Sequence, residues 1–154
     1  MSKTQLFDLD GKIAFVSGAS RGIGEAIAHL LAQQGAHVIV SSRKQEGCQQ
    51  VAAAIVAAGG QATAIPCHIG ELDQISQAFA AIRQQFGRLD ILVHKAPHNP
   101  QSCTVSHPDP WAVQTTVTLP LRTQSFIPVE QLHLMPPPRA GRILNLASPK
   151  APSP

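Results

Sequence analysis

A turn rich in glycine constrains this chain more than any other stretch of its sequence. Residues 17–24 read SGASRGIG, with an apolar run at residues 12–16 before them and an amphipathic helical pattern after them. Glycines allow a tight turn, and the N–H groups and dipole of the following helix then favour a bound anion. A strand, a glycine turn and a helix start, in this order, predict the pyrophosphate-binding part of a dinucleotide site.

Composition narrows the class of protein. The 154 residues are 44% hydrophobic and 14% charged, which is typical of one globular domain with a core. The net charge of +3 is spread along the chain, so we expect no nucleic-acid partner. No apolar run approaches the roughly 20 residues of a membrane span, and the N-terminus lacks a signal-peptide core. We therefore expect no membrane partner and a cytoplasmic location.

The cysteines and histidines do not indicate a metal site. The chain has an odd number of cysteines, without metal-ligand spacing: Cys48, Cys67 and Cys103. The seven histidines are dispersed along the chain. Such cysteine usage is typical of a reducing compartment, which agrees with the cytoplasmic expectation.

Strand-like and helix-like patterns alternate along the first part of the chain. The predicted strands are residues 12–17, 37–42, 61–65, 89–93 and 142–147. The predicted helices are residues 22–34, 44–58 and 71–86. Alternation of this kind predicts an α/β fold, in which a parallel sheet carries helices on both faces.

Each predicted helix has an apolar face that we expect to be buried. These faces are Ile23, Ile27, Leu30 and Leu31 in the first helix, Cys48, Val51, Ile55 and Val56 in the second, and Ile75, Phe79, Ile82 and Phe86 in the third.

Prolines divide the chain into two parts of different character. Of 13 prolines, only Pro66 lies before residue 97. An interior proline breaks a helix, so the part after residue 96 is expected to be irregular and poorly packed. We predict one dinucleotide-binding domain over residues 1–148, best ordered at 9–93, and a disordered tail at 149–154.

Four stretches together resemble the short-chain dehydrogenase/reductase family. They are the glycine turn, its lead-in DGKIAFVSG, LDILV at the fourth strand and GRILNLAS at the fifth. The resemblance implies a Rossmann-type doubly wound sheet, incomplete here with about five strands. It also implies an NAD(P)-dependent oxidoreductase that moves hydride between a nicotinamide and a carbonyl or alcohol carbon. The stretches VSSRK and CHIG resemble the carbonyl-reductase-like, NADP-preferring branch.

The resemblance assigns the glycine turn to the cofactor. Its phosphate-binding glycines match Gly18, Gly22 and Gly24, and we place the intervening side chains in the same site. Those side chains are Ser20, Arg21 and Ile23. The alternative is a turn that merely connects a strand to a helix.

Charge at the end of the second strand favours NADP(H) over NAD(H). NAD-dependent members of the family usually carry an acidic residue where this chain has Ser42, and Arg43 follows it. Two guanidiniums, those of Arg21 and Arg43, would pair with a 2′-phosphate that a carboxylate would repel. The alternative is that both arginines are ordinary solvated charges.

Three further positions follow from the resemblance. His68 replaces an aspartate that contacts the adenine, and the backbone of Ile69 could still make that contact. Ala96 lies in the turn after the fourth strand, where the family's NNAG reads HKAP, and we assign it to the cofactor site.

The catalytic residues of the family are mostly missing. Ser148 matches the catalytic serine, although a small polar residue closing a strand is an equal alternative. The chain contains no tyrosine, so the YxxxK pair is absent, and Pro120 occupies the position of the relay asparagine. Without that general acid we expect an inactive, truncated reductase that binds NADP(H). The alternative is a non-catalytic NADP(H)-binding module, or a partner subunit of an intact relative.

A fifth strand at the end of the sheet would be poorly covered. Exposed apolar edges associate, so self-association through uncovered sheet or helix faces is a further expectation.

Overall fold

The computed structural model describes residues 8–95, 134 and 141–146. Over this part of the chain, five strands and three helices form an α/β fold. The strands are β1 Ile13–Ser17, β2 His37–Ser41, β3 Gln61–Ala64, β4 Ile91–Lys95 and β5 Arg142–Leu146. The helices are α1 Gly22–Gln33, α2 Gln45–Ala57 and α3 Leu72–Phe86.

All strands of the sheet are parallel, in the order β3-β2-β1-β4-β5. Strands β2 and β3 extend the sheet to one side of β1, and β4 and β5 extend it to the other. The order therefore reverses between β1 and β4. This arrangement confirms the predicted Rossmann-type, doubly wound sheet of five strands.

The central strands are apolar on both faces, and their side chains alternate between two cores. Ala14 and Val16 of β1 face the core under α1 and α2. Phe15 faces the core under α3, where its ring lies 5.4 Å from that of Phe79. Burial on both faces explains why these strands read as continuous apolar runs.

The predicted buried face of α1 was wrong at two positions. Ile23 and Leu30 are 65% and 57% exposed, whereas Ala28 and Ala32 are buried. Small residues line the contact because the helix approaches the glycine turn and the sheet closely. Ile27 and Leu31 of the predicted face are partly buried and pack against the core, so hydrophobicity alone indicated only half of that face correctly.

The faces of the other two helices were predicted more closely. In α2, Val56 is 54% exposed, and Ala52 is buried instead. In α3, the predicted face is confirmed, except that Phe86 is only half-buried and contacts the ring of His37 edge-on at 4.8 Å.

Strand β4 begins and ends two residues later than the sequence indicated. The polar residues His94 and Lys95 continue the strand because they pair with Asn145 and Leu146 of β5. Asp90, just before β4, is buried, and its carboxylate accepts hydrogen bonds from the Ile13 N–H and the Arg88 guanidinium. These contacts fix the amino end of the sheet.

Among the described residues after residue 96, Leu134 and Leu146 pack against the cores. Leu134 is buried in the core under α3, and its carbonyl accepts a hydrogen bond from the N–H of Leu89 at 3.0 Å.

Strand β5 is much more exposed than the other strands, with Ile143 37% and Leu144 50% exposed. Pro120 and the tail at 149–154 lie outside the described residues.

Candidate functional site

The carboxyl ends of β1 and β4 border the point where the strand order reverses. In open parallel sheets, the connections leave such neighbouring strands in opposite directions, and ligands bind in the crevice between them. The glycine turn leaves β1 at this crevice, and α1 starts directly after the turn. The fold therefore places the sequence-predicted phosphate site where this architecture binds its ligands.

The three glycines have different physical reasons for being glycine. Gly18 and Gly22 have φ angles of +65° and +61°, in the left-handed region that side chains disfavour. A Cβ on Gly24 would overlap the carbonyl oxygen of Gly18 and lie 3.1 Å from the Cα of Ala19. Gly24 thus allows close contact between α1 and the turn. The resulting cradle of bare backbone fits a diphosphate.

The N-terminus of α1 follows the glycine turn at the crevice. Its N-cap residue, Arg21, is extended and makes no side-chain capping hydrogen bond. The first N–H groups of a helix lack intrahelical partners, so they can bind an anion. Ile23 is exposed here, so it does not belong to the buried face of α1, and its assignment to the cofactor stays a prediction. Ser20 is half-buried and lies against Gly47 of α2.

The end of β2 is attached to the glycine turn and presents no carboxylate in the segment 41–44. The Ala19 N–H donates to the carbonyl of Ser41 at 3.0 Å. Ser42 Oγ lies 3.3 Å from the carbonyl oxygen of Lys44 and from Sγ of Cys48, so its hydroxyl is held locally. Arg43 is exposed.

The end of β3 is organised by His68. Its ring Nδ1 accepts a hydrogen bond from the Gly70 N–H at 3.0 Å. Its backbone N–H donates a hydrogen bond to Gln74 Oε1 at 2.9 Å. Ile69 packs partly against the core under α3. Burial, with a smaller effect of Cys48, raises the pKa of Cys67 to about 11, so this thiol is protonated at neutral pH.

The end of β4 contains a polar contact that the sequence analysis missed. Ser17 Oγ accepts a hydrogen bond from the Lys95 N–H at 3.0 Å and lies 3.3 Å from Nδ1 of His94. The tautomer of His94 decides whether the Ser17 hydroxyl donates to Nδ1 or accepts from it. Burial lowers the pKa of His94, which agrees with a neutral ring. The available signal was a polar residue at the end of each neighbouring strand.

The structure brings most of the sequence-predicted residues to one edge of the sheet. The glycine turn and the segment Ser42-Arg43 are adjacent, and His68 and Ile69 follow β3 at the same edge. Ala96 and Ser148 lie outside the described residues. Within the described ranges, no helix is long and apolar enough to cross a membrane.

The chain is similar to known proteins over most of its length. The family model described as short chain dehydrogenase matches residues 12–154. Dehydrogenase/reductase SDR family member 4 of Oryctolagus cuniculus is 42% identical over 92 residues, which cover 60% of this chain and 35% of the relative. An uncharacterised oxidoreductase of Bacillus subtilis, YxjF, is 34% identical over 143 residues, which cover 89% of this chain and 53% of the relative.

Solved structures agree with these sequence matches. A 7α-hydroxysteroid dehydrogenase, solved with NADH and 7-oxo glycochenodeoxycholic acid, superimposes with a TM-score of 0.86 at 28% identity. The superposition covers 96% of this chain and 57% of that enzyme. This chain thus spans between about a third and about a half of the length of the curated relatives named here. From the family match, the glycine turn and the sheet order together, the chain belongs to the short-chain dehydrogenase family.

Proposed function

We propose that this chain binds NADP(H), in preference to NAD(H), as the cofactor-binding part of a carbonyl-reductase-like short-chain dehydrogenase/reductase. The observation that carries the proposal is the glycine turn, which opens onto the uncapped N-terminus of α1 beside the β1–β4 crevice. A diphosphate in this cradle would receive backbone hydrogen bonds. Because Gly18, Gly22 and Gly24 have no Cβ, none of them would obstruct its approach to the backbone.

The preference for the phosphorylated cofactor rests on charge at the end of β2. An acidic residue in the position of Ser42 would bind the ribose hydroxyls of NAD(H), but a serine cannot repel a 2′-phosphate. Arg21 and Arg43 are both exposed next to this edge. Guanidinium groups form bidentate, charge-assisted hydrogen bonds with phosphate, so the pair favours the 2′-phosphate.

For the 154 residues on their own, we propose binding without turnover. When bound, the cofactor supplies the hydride, and the protein must supply a proton to the carbonyl oxygen. The chain has no tyrosine to donate that proton. His94 is no substitute, because its ring is buried, lies against Ser17 and has a lowered pKa.

Titration with NADPH and with NADH, followed by calorimetry, tests the cofactor preference. We expect NADPH to bind more tightly, and the double variant Arg21→Ala/Arg43→Ala to lose most of that difference. Arg83→Ala is the matched control, because Arg83 is an exposed arginine in the last turn of α3, at the opposite edge of the sheet. Equal affinity for NADH and NADPH would contradict the proposed preference. Absence of binding of both cofactors would contradict the proposal that the glycine turn forms a dinucleotide site.

Oxidation of NADPH with a panel of carbonyl compounds tests the absence of turnover. We expect rates equal to those of NADPH alone. A rate above this background would show that another group donates the proton.

A further inference from the structure

Lys95 lies at the crevice, and the proposed function gives its side chain no role. It ends β4, and its N–H donates to Ser17 Oγ at 3.0 Å, so its backbone is fixed to the end of β1. Side chains alternate along β4: Val93 faces the core under α1 and α2, and His94 points to the opposite face. Lys95 therefore points to the face that carries the N-terminus of α1.

The aliphatic part of Lys95 lies directly over the glycine turn. A Cβ built on Gly18 would lie 3.2 Å from Cδ of Lys95, 3.6 Å from its Cβ and 3.9 Å from its Cγ. Gly18 thus makes room for the Lys95 stem as well as for the turn. One methylene group separates Cδ from the ammonium, so the charge is held close to the cradle.

The charges around the cradle give this lysine a role. Across residues 8–95, 134 and 141–146, the structure shows no carboxylate paired with the Lys95 ammonium. The first turn of α1 carries Glu25, whose negative charge opposes an anion at that helix end. A cation held over Gly18 from β4 would offset Glu25 and attract the anion.

We propose that the Lys95 ammonium binds the pyrophosphate of the dinucleotide, so that β4 contributes a charged ligand to the phosphate cradle. This inference rests on the proposed function, because the pyrophosphate belongs to the proposed cofactor. Lys95 completes a site whose other donors are backbone N–H groups of the turn and of α1.

Lys95→Met in the full chain tests the proposal, because methionine keeps much of the stem and removes the charge. NADPH and inorganic pyrophosphate are titrated separately, each at two salt concentrations. We expect the Kd of Lys95→Met to rise about tenfold for both probes, with a weaker dependence on salt, because hydrogen bonds to charged groups are the strong ones. Lys95→Arg keeps the charge and is expected to stay within about threefold of the original Kd.

Lys12→Met is the matched control, since Lys12 is an exposed lysine at the amino end of β1 and its removal changes the net charge equally. Urea unfolding of each variant shows whether the fold is retained. Equal or tighter binding by Lys95→Met would overturn the role of Lys95.

The two probes separate this inference from the proposed function. Binding of NADPH with the same Kd in Lys95→Met overturns the inference alone. Lys95-dependent binding of pyrophosphate without binding of NADPH overturns the proposed function and retains Lys95 only as a ligand of free pyrophosphate. Absence of binding of both probes to the original chain overturns both.

Discussion

At the scale of single residues, Gly24 shows how closely the site and the fold depend on one another. A side-chain carbon there would overlap the carbonyl oxygen of Gly18, which is backbone and cannot rotate away. Gly24→Ala would therefore push α1 away from the turn. We expect a loss of about 1–3 kcal/mol in the free energy of unfolding, typical of overpacking, together with weaker NADPH binding.

Urea unfolding and NADPH titration measure the two effects of Gly24→Ala. Gly59→Ala is the control, because Gly59 has a φ of +87° with open space around it and lies after α2, at the amino edge of the sheet. This control should lose stability through backbone strain alone and should bind NADPH normally. Normal binding by Gly24→Ala would contradict close packing of α1 as a requirement of the site.

His94 makes stability depend on pH. Burial holds its folded-state pKa below the ordinary 6.5, so below that pH the unfolded chain binds the proton more readily than the folded chain. Well above pH 6.5 the ring is neutral in both states and has no pH-dependent effect. Stability therefore falls as the pH drops from 6.5 toward the folded-state pKa.

The comparison of His94→Asn with the original chain measures this effect. We expect the free energy of unfolding of the original chain to decrease more than that of His94→Asn between pH 7.5 and pH 5, because the variant cannot titrate at this position. The same pH dependence in both proteins would show that other groups account for the change.

The residues of the site differ in how well the sequence predicts them. Gly18, Gly22 and Gly24 were predictable because a tight turn beside a helix start permits few other residues. The contact of Ser17 with His94 joins residues 77 positions apart, and no local pattern indicates it. The sequence placed Lys95 in the turn that departs from NNAG, near the expected cleft, but its position over Gly18 depends on the pairing of β1 with β4.

At the scale of elements, α1 shows where hydrophobic periodicity fails. The apolar side chains of Ile23 and Leu30 are exposed, and the buried residues of α1 are Gly24, Ala28 and Ala32. Ile27 and Leu31 pack only partly against the core. The distance between a helix and a sheet depends on the size of the side chains between them, which a hydrophobicity scale does not rank. Helix α3, whose contact residues are large, was predicted well for the same reason.

Opposite substitutions in α1 test this interpretation. Ala28→Leu should lower the free energy of unfolding by about 1–3 kcal/mol, because Ala28 is fully buried in the contact. Leu30→Ala should change it by less than about 0.5 kcal/mol, because most of the Leu30 side chain already contacts water. Urea unfolding measures the free energy of unfolding of both variants. A larger loss of stability in Leu30→Ala than in Ala28→Leu would show that Leu30 belongs to the contacting face, as the sequence predicted.

At the scale of the whole molecule, the described residues build a parallel sheet that resembles part of a longer relative. The five parallel strands and the cofactor crevice are present, and this chain covers 57% of the steroid dehydrogenase that superimposes on it. Sequence patterns predicted the sheet because buried parallel strands are apolar throughout. They also predicted β5, at residues 142–147, although its side chains are mostly exposed and its place in the sheet depends on pairing with β4.

The position of β5 at the end of the described sheet makes self-association a testable property of the whole chain. Among the described strands, β5 has β4 as its neighbour and lies at the end of the sheet. Its side chains alternate, so Ile143 and Leu144 expose apolar surface on opposite faces of the sheet. A sheet end of this kind pairs with another chain unless a charge or a covering element prevents it.

We expect the purified chain to form dimers or larger species as its concentration rises, and Leu144→Lys to reduce this association. Light scattering coupled to size-exclusion chromatography measures the mass at each concentration. Leu30→Lys is the control, because Leu30 is equally apolar and similarly exposed but lies on α1, away from the end of the sheet. If Leu30→Lys reduces the mass as much as Leu144→Lys does, association occurs through exposed apolar side chains in general and not through β5. A chain that stays monomeric at every concentration would show that the end of the sheet is covered.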